Sequence, residues 1–453
     1  SIILRFYLEV GMYLFKNVFI LNPTDSGPFD FFKGSVLIKN DIISRVYKDS
    51  ESPLDIETDG IIEIVDGNWQ TMLFPGFIQT HIHLCQTLHR NMAENIALIP
   101  WLKEHVWPYE AKLTGKTIGI SVITALKEIL SSGTTTVLDM GTVKHQDVIF
   151  EIMEITGFRY AGGKAMMDEG TGVPDELLEK TDGSITESVR LYEKFHNKNN
   201  GLLKYAFAPR FVLSCTETLL SEVRILSDKY GILIQTHGSE HKEEVEYIRA
   251  KTGYGNISYL DHIGALNDKT VIAHTVHPDD DEIELIKNMG ASIVHCPSTN
   301  LKLGSGIAPI YKYIQRGIKV GIGADGAPCN NALNIFSELK MASLLQKGIN
   351  HDAKIMIAKD ALRLATVNGA SIIGESDRIG RIEEGKQADI VVLDMNTPQT
   401  INFECHPSAA LVYGCDPRNV KATMVAGKFL FRDGMFSDEI RDIEMFFNEM
   451  REE

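Results

Sequence analysis

The chain has 453 residues and a formal charge of −16, from 45 Lys and Arg against 61 Asp and Glu. With 44 % hydrophobic and 23 % charged residues it has the composition of a soluble globular protein, which excludes a disordered or collagen-like chain. The acidic balance disfavours non-specific binding to nucleic-acid polymers, and no uncharged apolar run approaches the ~20 residues that a membrane span needs.

The apolar stretch before Met12 is broken by Arg5 and Glu9 and lacks the order of a secretory signal, so residues 1–11 are expected to lie outside the fold. Short strands are predicted at Tyr13–Leu21, Ser35–Lys39, Ile42–Tyr47 and Ile61–Val65, separated by turn clusters. From Met72 onward, apolar runs alternate with helical patterns, which signals a parallel sheet with crossover helices. Eight strands are predicted: Met72–Gln79, Thr135–Asp139, Tyr160–Met166, Lys204–Ala208, Ile232–Thr236, Thr270–Ala273, Ala291–Val294 and Val320–Gly323. Eight such units suggest a TIM-like (β/α)8 barrel. Further strands are predicted at Ala388–Leu393, Asn419–Val425 and Lys428–Phe431, and a final helix from the spacing of Ile440, Ile443, Phe446, Phe447 and Met450. The α/β division expected is a small discontinuous β-sandwich domain (12–72 and 385–436), a catalytic barrel (73–384) and a C-terminal helix (437–453). The cysteines (Cys85, Cys215, Cys296, Cys329, Cys405 and Cys415) form no CxxC, which points to reduced thiols in a cytoplasmic protein.

Chemistry-bearing residues cluster where these strands end. The first barrel strand runs into His81 and His83, the fifth into His237, the sixth into His274 and the eighth into Asp325. Barrel enzymes assemble their sites at that end, and residues two apart on a strand share a face. Three imidazoles and a carboxylate suit a borderline divalent ion such as zinc, with water in a remaining position. Glu240, three residues past His237, would stand level with such an ion and could move a proton. His89, His277 and His295 are candidate partners for fixing ligand tautomers.

The motifs FPGFIQTHIHLCQTL, GTTTVLDM, QTHGSE, IAHTVH, VHCPSTNLKLGSG, GIGADGAPCNN and IGRIEEGKQADIVVLD span nearly the whole chain. Together they resemble the amidohydrolase superfamily, in particular its metal-dependent deaminases and triazine hydrolases. The resemblance implies one divalent ion, zinc or alternatively iron, on His81, His83, His237 and Asp325. Two-metal relatives place a lysine at the end of strand four; Pro209 and Arg210 stand there here, and Lys164 is expected to be structural. The implied chemistry is hydrolytic deamination: Asp325 takes a proton from the attacking water, Glu240 protonates the ring nitrogen and His274 orients the water. It also implies a homodimer or higher homo-oligomer.

Two signals compete over the substrate. STNLKLGSGIAPI, DGAPCNN and MASLLQK, with Trp101 and Glu110, are similar to deaminases of S-adenosylhomocysteine, methylthioadenosine and deoxyadenosine, in which the glutamate binds ribose hydroxyls and the tryptophan lines the pocket. Arg210 departs from that branch, where a histidine follows the strand-four proline. PRFVLSCTE and Gln86 resemble guanine deaminases instead. A guanidinium only donates, so Arg210 asks for a carbonyl, ring-nitrogen or anionic acceptor, or pairs with an acid such as Glu217; the Gln86 amide suits a purine or pterin edge. The alternatives are an s-triazine chlorohydrolase or aminohydrolase and a non-catalytic scaffold of the same fold. The expected partner is a small heterocycle, with no membrane and no nucleic-acid polymer.

Overall fold

The computed structural model describes residues 11–24, 27, 29–49 and 63–450. The expectation for residues 1–11 therefore falls almost entirely outside the described residues, as does the first part of the strand predicted at Ile61–Val65; its remainder forms strand Glu63–Asp66. No helix among the described residues is long and apolar enough to cross a membrane.

Strands from both ends of the chain meet in one nine-stranded sheet. Met12–Asn22 pairs antiparallel with Asp30–Lys39, which pairs with Ile42–Lys48. Thr71–Pro75 lies on the other side of Met12–Asn22, and Ile390–Asp394 pairs antiparallel with it, Leu73 opposite Val392. Val420–Val425, Lys428–Arg432 and Met435–Phe436 complete that edge. The described pairings connect these strands in a single hydrogen-bonded sheet. Side chains on a strand alternate between faces. Phe19, Leu21, Met72 and Phe74 accordingly join the main core, while Val18, Ile20 and Leu73 pack into a separate cluster with Val36, Ile38, Ile390 and Met424.

The stretch expected as one strand, Met72–Gln79, is two. The chain breaks at Gly76, where a Cβ would fall 2.2 Å from the Thr135 side chain, and Phe77–His83 then enters a different, parallel sheet. Thr134–Met140, Arg159–Gly163 and Leu203–Tyr205 follow on one side of it and Asp325–Gly326 on the other. A second parallel ladder runs Ile234–Gly238, Thr270–His274, Ser292–His295, Val320–Ile322. Ala165–Met166 pairs with Ala208–Pro209, and a bridge between Phe207 and Ile234 links the two halves. With helices between successive strands, this is a mixed α/β fold of the TIM-barrel type. Its hydrogen bonding is divided into three ladders because strands three, four and eight each break before their ends.

The excursion between the first two parallel strands contributes the short helices Leu98–Trp101 and Trp107–Glu110 and the long helix Gly115–Ser131. Thr114 caps that long helix by accepting from Thr117 N at 3.2 Å. The last helix, Asp438–Glu449, buries Ile440, Ile443 and Phe447, whereas Phe446 and Met450 are exposed. Phe447 sits over Gly119, where a Cβ would meet its ring at 2.2 Å, and Lys127 pairs with Glu444 at 2.7 Å. The six cysteines form no disulfide.

Candidate metal centre

Four expected ligands converge at the ends of the parallel strands. Donor atoms of His81, His83, His237 and Asp325 all lie within 4.8 Å of one another. Strand alternation brings His81 and His83 to one face of Phe77–His83, at a ring separation of 5.0 Å. His237 stands in strand Ile234–Gly238, and Asp325 opens the short strand beside Ile82 and His83.

The ring tautomers follow from their partners. His83 Nδ1 lies 2.8 Å from the carbonyl oxygen of Met140, and His237 Nδ1 lies 2.8 Å from that of Arg210. A carbonyl only accepts, so both Nδ1 atoms carry the proton and donate it. Both Nε2 atoms are therefore bare lone pairs, yet they stand 3.3 Å apart, and His83 Nε2 is 3.3 Å from Asp325 Oδ1. His81 Nε2 is buried without a hydrogen-bond partner, 3.4 Å from the same oxygen. Lone pairs and a carboxylate oxygen converging in a buried space repel one another unless a cation lies among them. The donor set fits a single divalent ion. Burial holds His83 down at about 4 and His237 well below the ordinary histidine range, which keeps both rings neutral and able to ligate.

Two further groups face this cluster. His274 Nε2 is 3.5 Å from Glu240 Oε2 and 3.9 Å from Asp325 Oδ2. The other ring nitrogen of His274 meets Asn300 Oδ1 at 3.0 Å, so Nδ1 donates and Nε2 is bare. Burial lowers His274 to about 4. Burial, aided by the charges of Asp325 and Glu244, raises Glu240 well above the usual carboxylate range, which favours its protonated form. The backbone here is strained, with positive φ at Ser239 (52°), His274 (76°), Thr275 (44°) and Asp325 (62°).

A cavity opens from these groups, lined also by Gln86, Leu98, Trp101, Arg210, Phe211 and Leu303. Three of the expected substrate residues thus reach the wall. Glu110 lies behind it: its carboxylate accepts from Arg210 Nη1 at 2.5 Å, Arg210 Nη2 at 3.2 Å and Gln86 Nε2 at 2.8 Å. The acid paired with Arg210 is therefore Glu110 and not Glu217. Lys164 lies outside the cavity, buried in a pair with Glu179.

The ring-fixing partners expected from sequence are not those observed. His89 stacks on Tyr109 at 4.7 Å, His277 meets the Ser305 carbonyl at 2.5 Å, and His295 is buried with neither ring nitrogen bonded. Backbone carbonyls and Asn300 do that work instead. Sequence reasoning also misses the Cys329 thiol, which donates to Asp325 Oδ2 at 3.3 Å. Asn300 and Cys329 stand in STNLKLGSG and DGAPCNN, but a motif does not say which ligand each member touches.

Residues 72–430 match the amidohydrolase family. The 5'-deoxyadenosine deaminase of Methanobrevibacter smithii is 36 % identical over 420 residues, covering 93 % of this chain and 92 % of that protein. Among solved structures, an adenosine deaminase from Xanthomonas campestris with bound zinc superposes at a TM-score of 0.86 with 28 % identity, covering 97 % of this chain and 99 % of that one. The guanine deaminase of E. coli superposes at 0.83 with 27 % identity, covering 93 % and 100 %. The chain belongs to the amidohydrolase family.

Proposed function

We propose that this protein removes an amino group, as ammonia, from an oxo-bearing amino purine or a related fused heterocycle such as a pterin. As an amidohydrolase with deaminases among its relatives, it is a hydrolase of non-peptide carbon–nitrogen bonds. The observation that carries the reading is one cavity holding both the bare imidazole cluster and the Glu240–His274 pair, 3.5 Å apart, against a wall of Gln86, Trp101 and Arg210.

His81, His83, His237 and Asp325 would hold the divalent ion, for which zinc is our choice. When bound, such an ion supplies Lewis acidity that brings the pKa of water toward ~7. Asp325 accepts the proton of the water attacking the ring carbon. Glu240, whose protonated form burial favours, gives a proton to the adjacent ring nitrogen and removes charge as the tetrahedral carbon forms. The bare Nε2 of His274 accepts a hydrogen bond from the water and aims it. The proton held by Asp325 then passes to the exocyclic amine, which departs as ammonia while the hydroxyl of the tetrahedral carbon returns its proton to Glu240 and becomes the carbonyl.

The wall supports the choice of base. Gln86 Nε2 is committed to Glu110, and its oxygen, buried and without a hydrogen-bond partner, is left as the acceptor for a ring N–H. Arg210 beside it is a donor for a ring carbonyl. A neighbouring donor and acceptor on the substrate describe a lactam edge. Glu110 already takes three hydrogen bonds, which argues against its use on a ribose diol. A second reading, a 5'-substituted adenosine, is favoured by the likeness to the M. smithii enzyme over 93 % of the chain.

The test is an ammonia-release screen of the metal-loaded protein on guanine, 8-oxoguanine, pterin, adenosine, 5'-deoxyadenosine and methylthioadenosine. Turnover of an oxo-base above all nucleosides supports the first reading. Preference for a 5'-modified adenosine replaces it with the second, and ammonia from none of them overturns both. We further assign the strands of 12–72 and 385–436 to a small β domain, 73–384 to a (β/α)8 catalytic barrel and 437–453 to a C-terminal helix.

A further inference from the structure

The turn that presents Glu240 is gripped from behind by a second carboxylate. Glu244 is 1 % exposed. One of its oxygens accepts from the backbone N–H of Glu240 at 2.7 Å and of His241 at 3.3 Å. The other accepts from Asn256 Nδ2 at 2.6 Å. Asn256 begins helix Asn256–His262, whose first turn is held by Glu282, accepting from Ile257 N at 2.9 Å and Ser258 N at 3.1 Å. On its other side the turn is tied to the sixth strand, because Ser239 O accepts from Val276 N at 2.8 Å and His277 N at 2.9 Å.

Glu244 also occupies the third position of helix Lys242–Thr252, where a glutamate ordinarily reaches back to the cap residue, here His241. An ordinary cap of this kind sits at the surface and bonds the cap N–H. Here the group is buried, and its shorter bond goes to Glu240, one residue before the cap. The Glu240 carboxyl has little to hold it directly: Oε1 has no partner, and Oε2 is 3.5 Å from His274. Its aim into the cavity therefore depends on where its backbone is pinned, across a turn that Ser239 enters at a φ of 52°.

We propose that Glu244, braced by Asn256, is a positioning residue for proton transfer by Glu240. The inference rests on reading Glu240 as the proton donor. A misplacement of about 1 Å at such a group is enough to cost ~100-fold in rate.

The experiment compares Glu240→Gln, Glu244→Ala, Glu244→Gln and the double variant E240Q/E244A as metal-loaded full-length proteins. Ammonia release is measured from the purine turned over in the screen. E244A is expected to lose about 10- to 100-fold in kcat, with KM within about threefold of the parent and metal stoichiometry unchanged. E244Q, which keeps an acceptor oxygen, should recover most of the loss. The double variant should be no slower than E240Q alone, because a device that acts only through Glu240 has nothing left to aim.

A wild-type kcat in E244A, additive losses in the double variant, or a loss that tracks metal content would each overturn the proposal. If E240Q itself keeps full activity, the reading of Glu240 fails first, and the two failures are told apart. Should E244A not fold, Asn256→Ala removes the brace and leaves the carboxylate; it is expected to lose about threefold to tenfold in kcat, and an unchanged kcat overturns the proposal.

Discussion

The guanidinium of Arg210 grips both carboxylate oxygens of Glu110, at 2.5 and 3.2 Å, across 100 positions of chain. Both groups are buried, and burial costs each its hydration unless the other is present. Arg210→Ala leaves a buried carboxylate behind the pocket wall. The expected destabilisation is about 3–5 kcal/mol, read by denaturant unfolding. The double variant R210A/E110A should be more stable than R210A, because it leaves no orphaned charge, while still losing discrimination for oxo-bases. A double variant less stable than either single one would mean that the pair does not act as a unit.

Metal removal should cost both activity and stability. An ion that binds only the folded chain stabilises it by about 4 kcal/mol at a thousand times its dissociation constant. Chelator treatment should therefore abolish ammonia release and lower the thermal midpoint, with zinc restoring both. His237→Ala should lose stoichiometric metal, as metal analysis of the purified protein would report. Full activity in a stripped sample, or in H237A, would contradict the ligand assignment.

Gly326 lies where a Cβ would meet Gln86 Oε1 at 2.1 Å, in backbone of φ −84° that any residue tolerates. Gly326→Ala should therefore push the Gln86 amide away from its position without straining the chain. A rise in KM of about tenfold or more is expected, with metal content retained and stability lowered by about 1–3 kcal/mol. An unaltered KM would remove Gln86 from the substrate contacts.

Glu338 ties the loop after strand seven to the loop after strand eight. It accepts from Ser298 N at 3.1 Å, Ser298 Oγ at 2.6 Å and Asn330 Nδ2 at 3.0 Å. Burial pushes its carboxyl up to about 7 from an ordinary 4.5, against the lowering effect of those hydrogen bonds. Between these values the folded chain binds a proton that the unfolded chain has released. Its contribution to stability is therefore greatest below 4.5 and falls as pH rises toward 7. The full difference is on the order of 3 kcal/mol. Glu338→Gln should flatten the dependence of the thermal midpoint on pH across that window, and an unchanged slope would count against the shift.

Residues close together in sequence make much of this protein legible. Two histidines two apart on a strand share a face whatever surrounds them, so local spacing alone pairs His81 with His83. His237, His274 and Asp325 stand at or just past predicted strand ends, and a parallel α/β order brings such ends together. The break at Gly76 is not legible: Met72–Gln79 is apolar through most of its length, and only the approach of Thr135 decides where one sheet ends and the other begins. The companions of each candidate catalytic group are also hidden. The carbonyls of Met140 and Arg210 that set the ring tautomers belong to other segments, and a carbonyl leaves no mark in a sequence.

The pairing of Arg210 with Glu110 rather than Glu217 belongs to the same class. The sequence by itself determined which residue types gather at the strand ends, because their positions follow from local spacing. Only the tertiary structure decided which charges face the cavity and which cancel behind it, because that depends on distances between segments far apart in the chain.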